Sequence, residues 1–324
     1  MRTVASILAV ACAAAFFAES AQAATASFPN KALRIIVPYP PGGTSDILSR
    51  LIGAKITENW KQSVIVENRT GANGNIGAEF VARASADGYT YLLTDIGNLS
   101  IAPSVYKLSF DILRDFAPVT TVSYSPHLLT THPSVPVRTT RQLITLAKAN
   151  PGKLNFPTGL GGAPHFAGML FEQRTGISWA YIGTRGGADS SRMVISGEGD
   201  VMFLGMLQTI PHVKNGRLKL IAVSSEKRIA ALPDTPTVGE GPGLAGFVTG
   251  SWQGVLAPVR VAPEIVAKLH GELARVLALP DIVEKLRSQG TEPVANRPED
   301  TAKWMTTESG RYAKLVKETK FKLE

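Results

Sequence analysis

Apolar and polar positions alternate in two rhythms along the first third of the chain. Short apolar runs are typical of buried strands, and longer segments with an apolar residue every three or four positions are typical of helices. The predicted order is strand, helix, strand, helix, strand over residues 33–37, 47–56, 64–66, 76–84 and 89–93. This alternation predicts a parallel sheet with helices on its faces.

A second α/β series begins near Arg138. Its predicted helices cover 140–149, 164–174 and 187–196, and its predicted strands cover 154–156, 179–182, 201–204 and 218–223. A stretch rich in Pro and Gly follows, and then come a strand over 248–256 and helices over 263–278 and 298–317. The pattern therefore predicts an α/β protein with two lobes, each a mostly parallel sheet flanked by helices.

The length of the chain also favours two lobes. About 300 residues remain after the N-terminal segment described next, and a single hydrophobic core rarely grows beyond this size. We expect the chain to cross between the lobes near 119–130 and again near 247–257, which would form a hinge. The predicted lobes are residues 24–124 with 248–324, and residues 125–247.

The N-terminus has the layout of a cleavable secretory signal. Arg2 precedes an apolar run over 4–18, and Ala21 and Ala23 supply the small residues expected at a cleavage site. Residues 1–23 are therefore predicted to be a signal peptide that is cleaved near Ala23. Cys12, the only cysteine, lies inside the run, so the mature chain would have no thiol. Acylation of Cys12 in a lipoprotein is the alternative.

The net charge of +8 favours anions without deciding the partner. A positive field attracts anions over a long range. Lys and Arg are scattered singly, with no basic run and no interleaved aromatic residues, which argues against nucleic acid. A basic surface with no specific partner remains open. Beyond the signal no run of about 18 apolar residues occurs, so the mature chain is expected to be soluble.

The sharpest motif lies between the first strand and the first helix and reads Pro38-Tyr39-Pro40-Pro41-Gly42-Gly43-Thr44-Ser45-Asp46. Glycine permits positive φ, so successive backbone N–H groups can point into one concavity at the helix start and bind an anion. The alternative is a tight turn before a helix that Thr44 or Ser45 caps. Asp46 suits a helix N-terminus, but it would repel a bound anion.

A second loop with the same chemistry lies in the other series and reads Thr158-Gly159-Leu160-Gly161-Gly162-Ala163-Pro164-His165. Pro164 suits the first helical position, which leaves the N–H groups of the preceding glycines free for a ligand. Two such loops facing each other would hold the two ends of a dicarboxylate. His165 is expected to pack or cap locally. Arg185 is expected to be a solvated loop residue, and the alternative is that it reaches an anion across the cleft.

No other cluster predicts catalysis or a cofactor. The histidines lie far apart without metal-ligand spacing, and no Gly-x-Ser-x-Gly motif is present. The stretch 71–77 is rich in Gly, but it lacks the Gly-x-Gly start and the later acid of a dinucleotide site. We therefore expect no metal, no cofactor and no catalytic residue, and we interpret 71–77 as an ordinary turn and helix start.

Several segments together resemble the receptor subunits of tripartite tricarboxylate transporters, also called Bug receptors. They read RIIVPYPPGGTSDILSR, VIVENRTGANGNIGA, ADGYTYLLT, DFAPVT, LAKANPGKLNF, GRLKLIAVSSEKR, LPDTPTVGE and SWQGVLAP. The resemblance extends from Phe28 to the final helix, and several matches together are far more specific than one.

The resemblance implies a two-lobed periplasmic binding protein of type II, the Venus-flytrap fold, without cofactor or catalysis. It implies that a small carboxylate is held by main-chain N–H groups and bridging waters from two loops. By motif these fall on Pro41, Gly42, Gly43, Thr44, Ser45 and Asp46, and on Thr158, Gly159, Gly161 and Gly162. The implied partner is an integral membrane permease with a large and a small subunit, and the receptor itself is expected to be a monomer.

Four positions depart from the family pattern and weaken the transfer of a particular ligand. They are Asp95, Ala102, Gly162 and the segment Thr184-Arg185-Gly186. A dicarboxylate, a tricarboxylate, an acidic amino acid and an aromatic carboxylate all suit a site read by backbone groups. A carboxylate sensor that feeds a signalling partner and an α/β enzyme are the alternative functions.

Overall fold

A computed structural model describes residues 28–319 and residue 321. The predicted signal peptide, its cleavage near Ala23 and the acylation of Cys12 all lie outside the described residues. Among the described residues, no helix is both long enough and apolar enough to cross a membrane.

Strands and helices alternate through most of the described chain. The strands are β1 Leu33–Val37, β2 Val64–Asn68, β3 Thr90–Asp95, β4 Phe116–Thr131, β5 Asn155–Thr158, β6 Ala180–Gly183, β7 Val201–Gly205, β8 Lys219–Val223, β9 Gly250–Pro258 and β10 Glu292–Pro293. The helices are α1 Thr44–Trp60, α2 Asn75–Ala82, α3 Ala102–Val105, α4 Thr140–Ala149, α5 Ala163–Thr175, α6 Gly187–Ser196, α7 Met206–Lys214, α8 Pro263–Leu277, α9 Pro280–Arg287 and α10 Pro298–Thr319. Shorter helical turns are Ala72–Gly74, the π-helix Gly97–Ile101 and Val238–Glu240.

The elements predicted from the pattern agree with these bounds to within four residues at each end. The pattern does not predict α7, because Pro211 lies inside that helix and proline removes a backbone donor from a helix interior. It also does not predict α9 or the π-helix. Each of these is too short to show a clear apolar period.

The first lobe is built on a mixed sheet with the strand order β10-β4-β9-β3-β1-β2. As predicted, β1 pairs in parallel with β2 and with β3. In contrast, β9 runs antiparallel to both β3 and β4. The chain leaves this sheet along β4 and returns to it along β9, so these two strands must run in opposite directions. The sheet is therefore less parallel than the alternation of elements indicates.

The long strand β4 is shared between the two lobes. Its residues 116–126 pair with β9, and from His127 onward it pairs with β7 and β8. The parallel pair of β5 and β6 adds a second small sheet to the second lobe. Both predicted crossings fall where β4 and β9 run side by side. The chain boundaries assigned to the lobes stay a prediction.

Each lobe has its own hydrophobic core. In α1, residues Leu48, Ile52 and Ile56 repeat every four positions and are at most 1% exposed, which places one face of the helix on the first sheet. The second core is rich in aromatic residues, and Phe203 of β7 lies at its centre, packed against three other phenylalanine rings. These cores hold the loops at the ends of the strands in place.

The lobes also touch each other directly. Phe166 of α5 packs against Tyr312 of α10 with the ring centres 5.7 Å apart. Nearby, the Tyr106 hydroxyl donates a hydrogen bond of 2.5 Å to the carbonyl oxygen of Leu160, in the second glycine loop. The two lobes are therefore in contact, and the glycine loops lie close to the interface between them.

We expect Phe203→Ala to lower the free energy of unfolding by about 3–5 kcal/mol, because it leaves a cavity among rings that cannot collapse onto it. Urea denaturation measures this change. Leu113→Ala is the control, since Leu113 is 46% exposed and surface changes usually stay within about 0.5 kcal/mol. A similar loss in both variants would contradict the position of this core.

Candidate functional site

A small cavity of about 50 Å³ lies where the two lobes meet. One water needs roughly 10–15 Å³ of such space, so the cavity admits a few polar atoms. Its wall is formed by Tyr39, Gly43, Thr44, Ser45, Asn73, Asp95, His127, Gly159, Gly162, Pro164, Gly186, Gly187, Ser190, Leu204, Gly205, Gln208, Ser251 and Gln253.

Four helices begin at this cavity. Their N-cap residues are Gly43 for α1, Gly162 for α5, Gly186 for α6 and Gly205 for α7, and none of the four helices has a side-chain cap hydrogen bond. The first N–H groups of a helix have no partner inside the helix, and the helix dipole makes its N-terminus favour negative charge. The cavity is therefore an anion site built from backbone groups.

The two predicted glycine loops share one local conformation. Gly42 and Gly161 have φ of +87° and +76°, in the left-handed region that glycine adopts without strain. Each is followed by an extended glycine, with φ of −77° at Gly43 and −89° at Gly162, which starts the helix. At the start of α5, however, the Gly161 N–H donates to His165 and the Gly162 N–H donates to the Gly159 carbonyl oxygen at 3.0 Å, so the glycine N–H groups there are not free for a ligand, in contrast to the prediction from the sequence. The N–H groups that can face the cavity are therefore those of the first helical turns, apart from Pro164, which has none.

Asp46 holds the first loop from behind the cavity. Its carboxylate accepts hydrogen bonds from the Gly42 N–H at 2.9 Å and from Asn68 Nδ2 at 3.0 Å, and it pairs with the guanidinium of Arg50. Burial acts to raise the pKa of Asp46, but the hydrogen bonds from Arg50, Gly42 and Asn68 together lower it. Asp46 is therefore a charged anchor of the loop, and its charge is neutralised by Arg50.

His165 plays the matching part in the second loop. Its Nδ1 accepts a hydrogen bond of 3.0 Å from the Gly161 N–H, which requires an unprotonated nitrogen. Burial lowers the pKa of His165 to about 4, so the ring is neutral at physiological pH. The histidine therefore orders the loop locally, as the sequence indicates.

The structure brings half of the predicted site residues to the cavity wall. Gly43, Thr44, Ser45, Gly159 and Gly162 line it. The others, Pro41, Gly42, Asp46, Thr158 and Gly161, do not, although Asp46 anchors the first loop and Gly42 and Gly161 give the two loops their shape. That these ten residues bind a ligand stays a prediction.

Two of the helix starts at the cavity were not predicted from the sequence. The pair Gly186 and Gly187 repeats the signal of the first loop and could have been recognised by it. Gly205 could not have been recognised in this way, because α7 carries Pro211 and was not predicted as a helix. Gln208 on α7 was missed for the same reason. Its Oε1 is buried and has no hydrogen-bond partner among the described residues.

No Lys or Arg side chain lines the cavity. Arg185 lies on the neighbouring loop, is 64% exposed, and pairs with Asp189 at 2.6 Å. His127 reaches the cavity, but burial lowers its pKa to about 3 and keeps the ring neutral. The positive potential at the site therefore comes from main-chain N–H groups.

A polar network connects the cavity wall to the first sheet. The Ser45 hydroxyl donates to Gln253 Oε1 at 2.6 Å, and Gln253 Nε2 donates to the Ser251 hydroxyl at 3.0 Å. The Thr44 hydroxyl is also buried but has no partner among the described residues. Among the residues that the structure describes, no group of three or more His, Cys, Asp and Glu side chains is placed to hold a metal.

Comparison with known proteins agrees with this geometry. Residues 48–321 match the family described as "Tripartite tricarboxylate transporter family receptor". The R. palustris protein Rpa4515 with adipate is 32% identical with a TM-score of 0.87, covering 90% of this chain and 98% of that chain. The periplasmic binding protein BugD is 30% identical with a TM-score of 0.87, covering 92% and 100%. MatC from Rhodopseudomonas palustris with bound malate is 27% identical with a TM-score of 0.82, covering 89% and 100%. These likenesses confirm the predicted two-lobed periplasmic binding protein fold.

We expect Asp46→Asn to destabilise the protein at about pH 7 and to matter less in acid. A depressed folded-state pKa stabilises the fold above the unfolded value of about 3.9, and the stabilisation is lost as the pH falls through the folded-state pKa. Urea denaturation between about pH 7 and pH 3 should show the difference from wild type shrinking. The exposed Asp234→Asn is the control. A difference that does not vary with pH would mean that the charge of Asp46 does not anchor the loop.

Proposed function

Because the chain belongs to the tripartite tricarboxylate transporter receptor family, we propose that it captures a small carboxylate in the periplasm and delivers it to a permease. The permease would be an integral membrane protein with a large and a small subunit, as in transporters of this type. The family and the fold are those of substrate-binding proteins. We therefore propose binding without catalysis.

One observation carries the ligand class: four uncapped helix N-termini meet at one cavity that has no basic side chain. Main-chain N–H groups and helix dipoles bind carboxylates without any arginine. A hydrogen bond to a charged group contributes roughly 1.5–3 kcal/mol. About four of them are consistent with a micromolar dissociation constant, which corresponds to about 8 kcal/mol.

The solved structures support a carboxylate ligand. Rpa4515 is described with adipate and MatC with bound malate, and both small molecules are dicarboxylates. The opposed glycine loops around Gly43 and Gly162 would suit one carboxylate each. We propose that the ligand of this chain spans the cavity in that way.

Closure of the lobes would couple binding to transport. Around the cavity, a Cβ placed on Gly159 would lie 2.7 Å from Asn73 Oδ1, and one on Gly186 would lie 3.3 Å from the ring of Tyr39. Such close approach narrows the space between the lobes, so separation of the lobes would ease the entry of a ligand. We propose that residues 24–124 with 248–324 move against residues 125–247, and that the permease reads the closed form. The ligand favours that form only if it binds it more tightly.

The proposal is tested with purified protein and a panel of carboxylates that includes succinate, malate, adipate and citrate. We expect at least one of them to raise the melting temperature and to give a calorimetric dissociation constant, with no product detected. Binding lowers the free energy of the folded state alone, which raises the melting temperature. Turnover of any compound, or no binding across the panel, would contradict the proposal.

We expect Gly43→Val to weaken binding of the best carboxylate at least about tenfold, which equals 1.4 kcal/mol. Gly43 has an ordinary φ of −77°, and a Cβ there would meet its nearest neighbours, Gln208 Oε1 and the Pro40 carbonyl oxygen, at 3.5 and 3.6 Å. The variant should therefore fold, while its methyl groups take up space in the cavity. Isothermal titration calorimetry measures the change.

Gly271→Val is the matched control, since a Cβ at Gly271 on α8 has no neighbour within 4 Å and this helix does not line the cavity. It should bind like wild type. Equal affinities for all three proteins would place the ligand away from the start of α1.

A further inference from the structure

Asp95 is the only acidic side chain among the residues that line the cavity. It lies at the end of β3, in a site where four helix N-termini favour negative charge in a ligand. A carboxylate in that position repels a second carboxylate bound near it. Its presence therefore needs an explanation that the proposed function does not supply.

Only neutral donors stabilise this carboxylate. Asp95 Oδ1 accepts hydrogen bonds from the Tyr39 hydroxyl at 2.7 Å and from the Gly97 N–H at 2.8 Å. None of the ion pairs formed by the described residues includes Asp95, whereas Asp46 and Asp189, near the same loops, each pair with an arginine. Burial raises the pKa of Asp95, as expected for an acid without a cationic partner. Asp95 therefore lines the cavity without a cationic partner among the described residues.

The position of Asp95 relative to the anion site is set by the sheet. Asp95 and Gln253 are directly opposite each other in the antiparallel pair of β3 and β9, so their side chains share a face with Cβ atoms about 4.5–5.5 Å apart. Gln253 in turn accepts the hydrogen bond from Ser45 at the start of α1. The acid and the start of α1 are therefore linked through a single residue, Gln253, by a cross-strand pair on one side and a side-chain hydrogen bond on the other. Asp95 and Ser45 line the same cavity, so a small ligand that carries a positive and a negative group can contact both.

We propose that the preferred ligand carries an ammonium group beside a carboxylate, with Asp95 binding the ammonium and the helix N-termini binding the carboxylates. The ligand class is then an acidic amino acid rather than a plain dicarboxylate. The inference rests on the proposed function, because it assigns the helix starts to carboxylate groups. It makes Asp95 the residue that determines specificity.

Two matched ligand pairs test this inference. L-Aspartate and succinate, and L-glutamate and glutarate, each differ only by the α-amino group. In calorimetric titrations near neutral pH, we expect wild type to bind the amino acid of at least one pair about tenfold or more tightly than its plain partner, a difference of about 1.4 kcal/mol. Asp95→Asn should remove this preference. We expect it to weaken the binding of the amino acid and to leave the binding of the plain acid unchanged or stronger.

Glu172→Gln is the matched control variant. Glu172 accepts hydrogen bonds from the Trp179 N–H at 2.7 Å and from the Tyr181 hydroxyl at 2.8 Å, and burial also raises its pKa. Like Asp95 it is a carboxylate held by neutral donors, but it does not line the cavity. Its ligand preference should equal that of wild type.

A wild-type preference for succinate and glutarate, or no binding of any of the four compounds, would overturn the inference. So would a ratio that Asp95→Asn leaves unchanged. The wild-type ratio decides the matter even if Asp95→Asn fails to fold. Adipate in the same titrations distinguishes a failure of the ammonium site from a failure of the proposed carboxylate-binding function. If adipate binds and the amino acids do not, only the ammonium assignment fails. If no carboxylate binds, the proposed function fails with it.

Discussion

The site depends on unpaired backbone N–H groups at the starts of helices. Four helices begin at glycines that carry no capping side chain, and all four starts face one cavity. In an ordinary protein such ends are capped by Ser, Thr, Asp or Asn. Leaving them open inside a cavity costs stability, and an anion that accepts these hydrogen bonds restores it. Because these N–H groups can themselves bind an anion, the site does not need an arginine.

The fold brings these helix starts together from both lobes. Of the four helices, α1 follows a strand of the first lobe, and α5, α6 and α7 follow strands of the second lobe. The two lobes share β4 and are rejoined by β9, so the crossing strands form the floor on which the cavity lies. Behind the cavity, Asp46 and His165 hold the two glycine loops through hydrogen bonds to Gly42 and Gly161. These anchors keep the loops in place.

Selectivity needs a feature that opposes the general attraction for anions. The helix N-termini attract any carboxylate, and the net charge of +8 attracts anions to the whole surface. Asp95 is the element of the cavity wall that discriminates among them, since it favours a ligand with a positive group and penalises one without. A single side chain at the end of β3 could therefore change the ligand class while the fold and the family stay the same.

The sequence by itself determined the alternation of strands and helices, the two-lobed α/β class and the two glycine loops, because these follow from local periodicity and from the conformational freedom of Gly42 and Gly161. It did not reveal α7, whose Pro211 interrupts the helical signal, or the convergence of Gly186 and Gly205 on the site. Those features arise from tertiary structure, since residues far apart in the chain meet only when β4 and β9 join the lobes. Tertiary structure also decides that Asp95 has no ion-pair partner among the described residues. The sequence shows that an acid is present, but only the packed structure decides which charges lie beside it.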